Sequence, residues 1–176
     1  RGTLIHTVLE DLFELPASDR TVTKAAQMLP DRWQAQIEAK PEIAKLVLDS
    51  GAWFKRAEEL LGNYFTLENP TNFEPTFREL HLEMDLSPDL YLHGYVDRLD
   101  VAPTGEVRIV DYKTGKSPKP GWEEKALFQL RVYALLYWRN NGVIPKLLQL
   151  IYMGDTRLVK STPTEKDLIK TEQILF

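Results

Sequence analysis

Asp97, Asp111 and Lys113 are the residues of this chain whose types and spacing could do chemistry together. They stand in two alternating runs, Leu90 to Asp100 and Glu106 to Gly115, joined by Pro103-Thr104-Gly105, and a Thr-Gly of this kind closes a short hairpin loop. Side chains in a strand repeat every two residues, so Val107, Ile109, Asp111 and Lys113 point the same way, and the carboxylate and the ammonium emerge together beyond an apolar pair. Asp97 ends the partner strand on the Tyr95 side. Two carboxylates at neighbouring strand ends, with a lysine two positions past the second, form an oxygen-rich pocket for a hard divalent cation beside a fixed positive charge. That arrangement suits cleavage of a phosphodiester. Taken singly, each of the three reads better as a strand-end charge in a surface salt bridge, so the case rests on their company.

The company is ordered along the chain: Gly2-Thr3-Leu4-Ile5-His6, then Gly94-Tyr95-Val96-Asp97-Arg98-Leu99-Asp100, then Val110-Asp111-Tyr112-Lys113-Thr114-Gly115-Lys116, then Gln129-Leu130-Arg131-Val132-Tyr133. This series resembles the PD-(D/E)xK nuclease superfamily, and within it the RecB-type exonuclease domain shared with helicase-nucleases and CRISPR adaptation nucleases. The resemblance runs from Gly2 to the last apolar strand near Tyr152. It implies an α/β fold with a restriction-endonuclease-like core, a central mixed sheet flanked by helices, and here a helical insertion.

It also implies roles. Asp97 and Asp111 would be the carboxylate ligands of Mg²⁺ or Mn²⁺, with Lys113 as the third catalytic residue. His6, in the Gly-x-x-x-His pattern, would be a further ligand, and the backbone carbonyl of Tyr112 another. Gln129 and Tyr133 match the Gln-x-x-x-Tyr motif, whose side chains line the site and contact nucleic acid. Glu10 matches less specifically and reads equally well as a solvated helix residue. Lys116 and Lys119, in the Pro/Gly-punctuated loop after Lys113, would neutralise phosphates along a DNA backbone. A solvated connection is the plainer reading of such a loop.

Composition sets the outer limits. A 176-residue chain with 43% apolar residues can bury one good core, so a single domain over 1–176 is expected, with a helical insertion at 17–70 and a sheet core at 73–160 that includes a helix at 122–141. No apolar run reaches membrane-spanning length and no signal peptide is visible, so the expectation is a soluble, cytoplasmic protein. The absence of cysteine rules out disulfides and thiolate metal sites, including the four-cysteine iron–sulfur clamp of some superfamily relatives. A net charge of −4 weighs against a nucleic-acid binder, although an empty nuclease site is itself acidic and a basic stripe on one face suffices to hold phosphates. Because the sequence opens inside a motif at Gly2, preceding residues are expected to exist.

The elements that must position these residues follow from periodicity. Leu4, Ile5, Val8, Leu9, Leu12 and Phe13 recur at helical spacing, with His6 and Glu10 on another stripe. Thr21 is placed to cap a short helix through Leu29, Pro30-Asp31 to start a second, and Pro41 to sit at the N1 position of a further helix; a long amphipathic stripe from Ile43 to Tyr64 follows, with a break suggested at Ser50-Gly51. This stretch reads as a helical subdomain, without the lysine and arginine that a nucleic-acid track would need. Phe77 to Leu86 alternates as a strand, and Glu83 is its acid best suited to support a site. His81 and His93 lack a partner at a metal-ligand spacing and read as structural. Lys125, Gln129, Tyr133 and Tyr137 form one row of the next helix, which Asn140-Asn141-Gly142 ends, before strands at 146–153 and 157–160 and a final helix from Thr164.

The function expected is a metal-dependent DNA nuclease, exonuclease-like, acting in DNA repair or recombination on single strands or duplex ends through a metal-activated water, with a helicase or other repair protein as partner. Two alternatives stay open: a non-catalytic nucleic-acid-binding or scaffold module on the same fold, and a small-phosphoester hydrolase.

Overall fold

The computed structural model describes residues 2–47 and 49–175. The chain packs as two compact units, one formed by Arg1–Glu74, Lys113–Lys116 and Tyr152–Arg157, the other by Pro75–Tyr112, Ser117–Ile151 and Leu158–Phe176.

The first unit is mostly helical. Helix α1 (Gly2–Leu12) buries Leu4, Ile5, Val8, Leu9 and Leu12 completely, the stripe that its spacing predicts, and leaves His6 and Glu10 half-buried on another side. After a short 3₁₀ turn at Ala17–Asp19, Arg20 is only 3% exposed. Its guanidinium donates to the carbonyls of Phe13, Leu15, Pro70 and Phe73 and pairs with Glu74 at 2.7 Å, which ties the two ends of the helical segment together. Helix α2 (Val22–Ala39) starts where Thr21 accepts the Lys24 N–H. The sequence places a new helix at Pro30; α2 instead runs through it. An interior proline forfeits one backbone bond and costs about 3 kcal/mol. Here α2 continues because its apolar side, with Ala25 and Leu29 buried, packs against α1 and α3. Helix α3 (Ser50–Leu67) begins at the suggested break, with the Asp49 carboxylate accepting the Ala52 N–H, and buries Ala57, Leu60, Leu61 and Tyr64. The proline at 41 opens a 3₁₀ turn, Pro41–Leu46.

The second unit holds all but the end residues Lys113, Tyr152 and Arg157 of the sheet, whose order is β1 (Phe77–Ser87), β2 (Leu90–Val101), β3 (Val107–Lys113), β4 (Leu147–Tyr152) and β5 (Arg157–Ser161). It is a mixed five-stranded sheet flanked by helices, the α/β architecture that was expected. β1 and β2 pair antiparallel with His81 opposite Tyr95 and Glu83 opposite His93, and the register slips between Asp85 and Ser87. β2 and β3 pair antiparallel from Val101↔Val107 to Arg98↔Val110. Between them Gly105, at φ +91°, supplies the left-handed residue of the turn and donates its N–H to the Ala102 carbonyl. Helix α4 (Glu124–Asn141) packs on β1 and on α5 (Glu165–Leu175), and Gly142 at φ +74° ends it by donating to the Trp138 carbonyl. α5 opens with a reciprocal cap: Asp167 N–H donates to Thr164 Oγ1, and Thr164 N–H to the Asp167 carboxylate. Those bonds hold the Asp167 carboxyl below its ordinary pKa. Among the described residues, no helix is long and apolar enough to cross a membrane.

Candidate functional site

Carrying the β2–β3 register one step past Arg98↔Val110 sets Asp97 opposite Asp111. The ladder stops there and a side chain takes over: Asp97 Oδ2 accepts the backbone N–H of Tyr112 at 2.8 Å. Both carboxylates are half-buried, and Asp111 Oδ2 is wholly shielded from solvent. Thus Asp97, Asp111 and Tyr112, three of the four expected metal-binding residues, stand together on adjacent strands.

The opposite face of these strands carries a buried, paired arginine. Arg98 is completely buried, and a buried cation is tolerated only when paired and hydrogen-bonded. Its Nε donates to Asp100 at 3.1 Å and its Nη1 to the Tyr112 hydroxyl at 3.0 Å, while Arg108 braces Asp100 from the other strand. Tyr112 is therefore held at both ends, by Arg98 at its hydroxyl and by Asp97 at its amide. The Asp-Arg-Leu-Asp run is thereby an alternation of roles, one acid at the site and the next neutralising the arginine behind it.

Lys113 is the last residue of β3, two positions beyond Asp111 on the same side of the strand. The chain enters the helical unit at this lysine, where the Lys113 carbonyl accepts the Met153 N–H at 2.8 Å and the Gly115 carbonyl accepts the Gly154 N–H at 3.0 Å. A Cβ at Gly154 would lie 2.5 Å from the Gly115 carbonyl, so only glycine permits this close approach. In the same unit, a Cβ at Gly2 would sit 3.6 Å from Thr114 Oγ1, which puts the start of α1 beside the segment that follows Lys113. His6 lies one turn further along α1, with Nδ1 2.7 Å from the Gly2 carbonyl. A carbonyl can only accept, so Nδ1 carries the hydrogen and Nε2 is the nitrogen with ligand character.

Gln129 Nε2 donates to the Tyr133 hydroxyl at 2.9 Å, so the motif is one hydrogen-bonded unit on α4. The Tyr133 ring lies against β2 at Gly94, where an added Cβ would come within 2.6 Å of the ring. Gly94 is an odd number of residues from Asp97, so this contact is on the sheet face opposite to the one Asp97 points toward. Lys116 and Lys119 are exposed, and Trp122 beside them is 76% exposed.

On the face of Asp97, the hairpin carries a row that the sequence did not reveal. Tyr95 stacks on His81 at 4.7 Å, Tyr91 stacks on His93 at 5.2 Å, and His81 Nε2 meets His93 Nδ1 at 3.3 Å. The two histidines, read in sequence as lacking partners, are thus neighbours. Twelve residues separate them along the chain, and only the hairpin register brings them together. Glu83 accepts a hydrogen bond from the Tyr91 hydroxyl, which pushes that phenol up to about 12. It supports the hairpin tip.

The donor set around Asp97 fits a hard divalent cation. Two carboxyl groups, one with an oxygen shielded from solvent, match an ion that keeps several waters and takes one or two protein carboxylates. Among the described residues, no three His, Asp or Glu side chains converge into a complete cage.

No curated protein matches the chain. A solved structure titled "Crystal structure of SSO0001" is similar at 17% identity and a TM-score of 0.45, over 81% of this chain and 70% of that one. The profile of the PD-(D/E)XK nuclease superfamily matches residues 1–174. It spans all four sequence runs that carry the resemblance, and the chain belongs to the PD-(D/E)XK nuclease superfamily.

Proposed function

We propose that the protein is a metal-dependent deoxyribonuclease of exonuclease type, related to the RecB-like branch, that works on single strands or duplex ends in DNA repair or recombination. The observation that carries this reading is the Asp97–Asp111 pair, aligned across β2 and β3 and fixed by the Tyr112 amide, with Lys113 two residues on. A phosphodiester is anionic and its alkoxide is a poor leaving group, so catalysis must supply a strong nucleophile and neutralise the charge that builds on phosphorus.

Asp97 and Asp111 would hold Mg²⁺ or Mn²⁺, with the Tyr112 carbonyl and His6 Nε2 as further donors. That ion would supply Lewis acidity toward water and the phosphoryl oxygens. Lys113 supplies a fixed ammonium that orients the attacking water and stabilises the developing charge. The Arg98–Tyr112 bond keeps β3 from drifting, so the carboxylates are set before substrate arrives.

The test is incubation with end-labelled single- and double-stranded DNA, and with RNA, in Mg²⁺, in Mn²⁺ or in chelator. Metal-dependent shortening of DNA from an end supports the reading. Tight binding of DNA without cleavage, in any ion, replaces it with the scaffold reading.

A further inference from the structure

We propose that Tyr95, backed by His81, is a stacking site for a nucleobase of the strand whose phosphate lies at Asp97. This rests on the nuclease reading and adds to it a residue to which the resemblance gives no role.

Tyr95 is a large aromatic side chain that is 58% exposed in a half-buried strand, two residues before Asp97 and on the same face. Two strand residues span about 7 Å, roughly one nucleotide step from the acid to the ring. The ring is not a loose surface tyrosine. It lies on the His81 imidazole with centroids 4.7 Å apart and planes 22° from parallel, and His81 in turn meets His93 edge to face at 5.4 Å. Buttressing of this kind fixes the ring before a base arrives, so little side-chain entropy remains to be lost on stacking. Aromatic rings take any base on their π-face, which suits a nuclease that must pass every sequence.

Charge along the same face sets the direction of the strand. Glu83 and Asp85 lie toward the hairpin tip, beyond His81 on β1, where they repel phosphates. The sugar-phosphate backbone is therefore excluded from the tip and runs past Asp97, while the base turns onto Tyr95.

Binding of a short fluorescent single strand in chelator separates this site from catalysis. Tyr95→Ala is expected to weaken binding between about five-fold and a hundred-fold, the range for one base–aromatic stack, and Tyr95→Phe to leave it within about two-fold. An oligonucleotide scanned with single abasic positions should lose affinity at one position in the wild type, and Tyr95→Ala should be insensitive to that same lesion. A wild type that binds and cuts DNA while Tyr95→Ala binds equally well, or shows the same abasic profile, overturns the stacking site and leaves the nuclease reading intact. A wild type that neither binds nor cuts any strand overturns both.

Discussion

The Asp97 carboxylate accepts the Tyr112 amide N–H at 2.8 Å where the β2–β3 ladder ends. A side chain thus replaces a backbone acceptor, and one oxygen of the acid is committed to holding the Tyr112 amide. Tyr112 is correspondingly bound at its hydroxyl by Arg98, which in turn is neutralised by Asp100. The site is fixed from behind by a buried ion pair.

Replacing Asp97 separates those two jobs. Asp97→Asn keeps an oxygen for the Tyr112 amide but removes the anion, so the fold should be unchanged in thermal melting while divalent affinity and cleavage fall together, cleavage by about two orders of magnitude. Asp97→Ala also strands the amide, and an unmade bond to a buried group costs about 1–3 kcal/mol, visible as a lower Tm. Calorimetric Mn²⁺ titration of the two variants, with unchanged affinity in both, would remove Asp97 from the ligand set.

Lys113 should act on rate and not on binding. Lys113→Ala is expected to keep metal and DNA affinity near wild type and to slow single-turnover cleavage by roughly two to three orders of magnitude, the scale of a lost electrostatic stabiliser. Parallel loss of affinity and rate would make the lysine a binding residue instead.

Lys116 and Lys119 are exposed on the loop after β3. If they meet phosphates, neutralising each should lower the slope of log affinity against log salt by roughly one unit. An unaltered slope in Lys116→Gln and Lys119→Gln places them off the DNA path.

The sequence made part of this legible for a physical reason. A two-residue period is local, so the shared face of Asp111 and Lys113 and the existence of β2 and β3 could be read directly, although the run read as β3 continued to Gly115 and the strand ends at Lys113. The buried stripe of α1 could be read likewise, because i, i+3 and i, i+4 neighbours are set by one helix alone. What escaped depends on partners far along the chain. His81 meets His93 only through the hairpin register, and Tyr133 finds Gly94 only when α4 lies on β1 and β2. Pro30 was misread because a local breaker was weighed without the packing that carries α2 through it.

The Tyr91–Glu83 bond makes the hairpin tip sensitive to alkali. The phenol is raised from 10.0 to about 12, first by its hydrogen bond to Glu83. A group whose folded pKa lies above its unfolded value contributes stability below the unfolded value and loses it as pH rises through the folded one. The tip should therefore loosen between pH 10 and about 12. Ultraviolet difference titration should find one late tyrosine in the wild type, returned toward the ordinary value by Glu83→Gln. A wild-type titration in which no tyrosine is late would dismiss the bond.

Gly94 and Tyr133 give the last prediction, because they tie a superfamily motif to the strand that carries Asp97. A Cβ at position 94 would lie 2.6 Å from Tyr133 Cε1, closer than two carbon atoms tolerate, and 3.2 Å from the hydroxyl oxygen that Gln129 holds. Gly94→Ala must therefore push the ring away or bend β2. Overpacking of this kind costs roughly 1–3 kcal/mol, and the bend would be felt three residues on, at Asp97. Stability in urea should drop for Gly94→Ala, and cleavage should drop further than the loss of folded protein explains. Removing the obstacle should relieve the first effect: in a Tyr133→Ala background, Gly94→Ala should cost little, giving a coupling of about 1 kcal/mol or more between the two sites. Strictly additive effects would mean that the ring yields without strain, and that Tyr133 does not set the position of the strand. If coupling is found in stability but the double variant stays slow on DNA, the tyrosine has a second role toward nucleic acid that glycine replacement alone does not disturb.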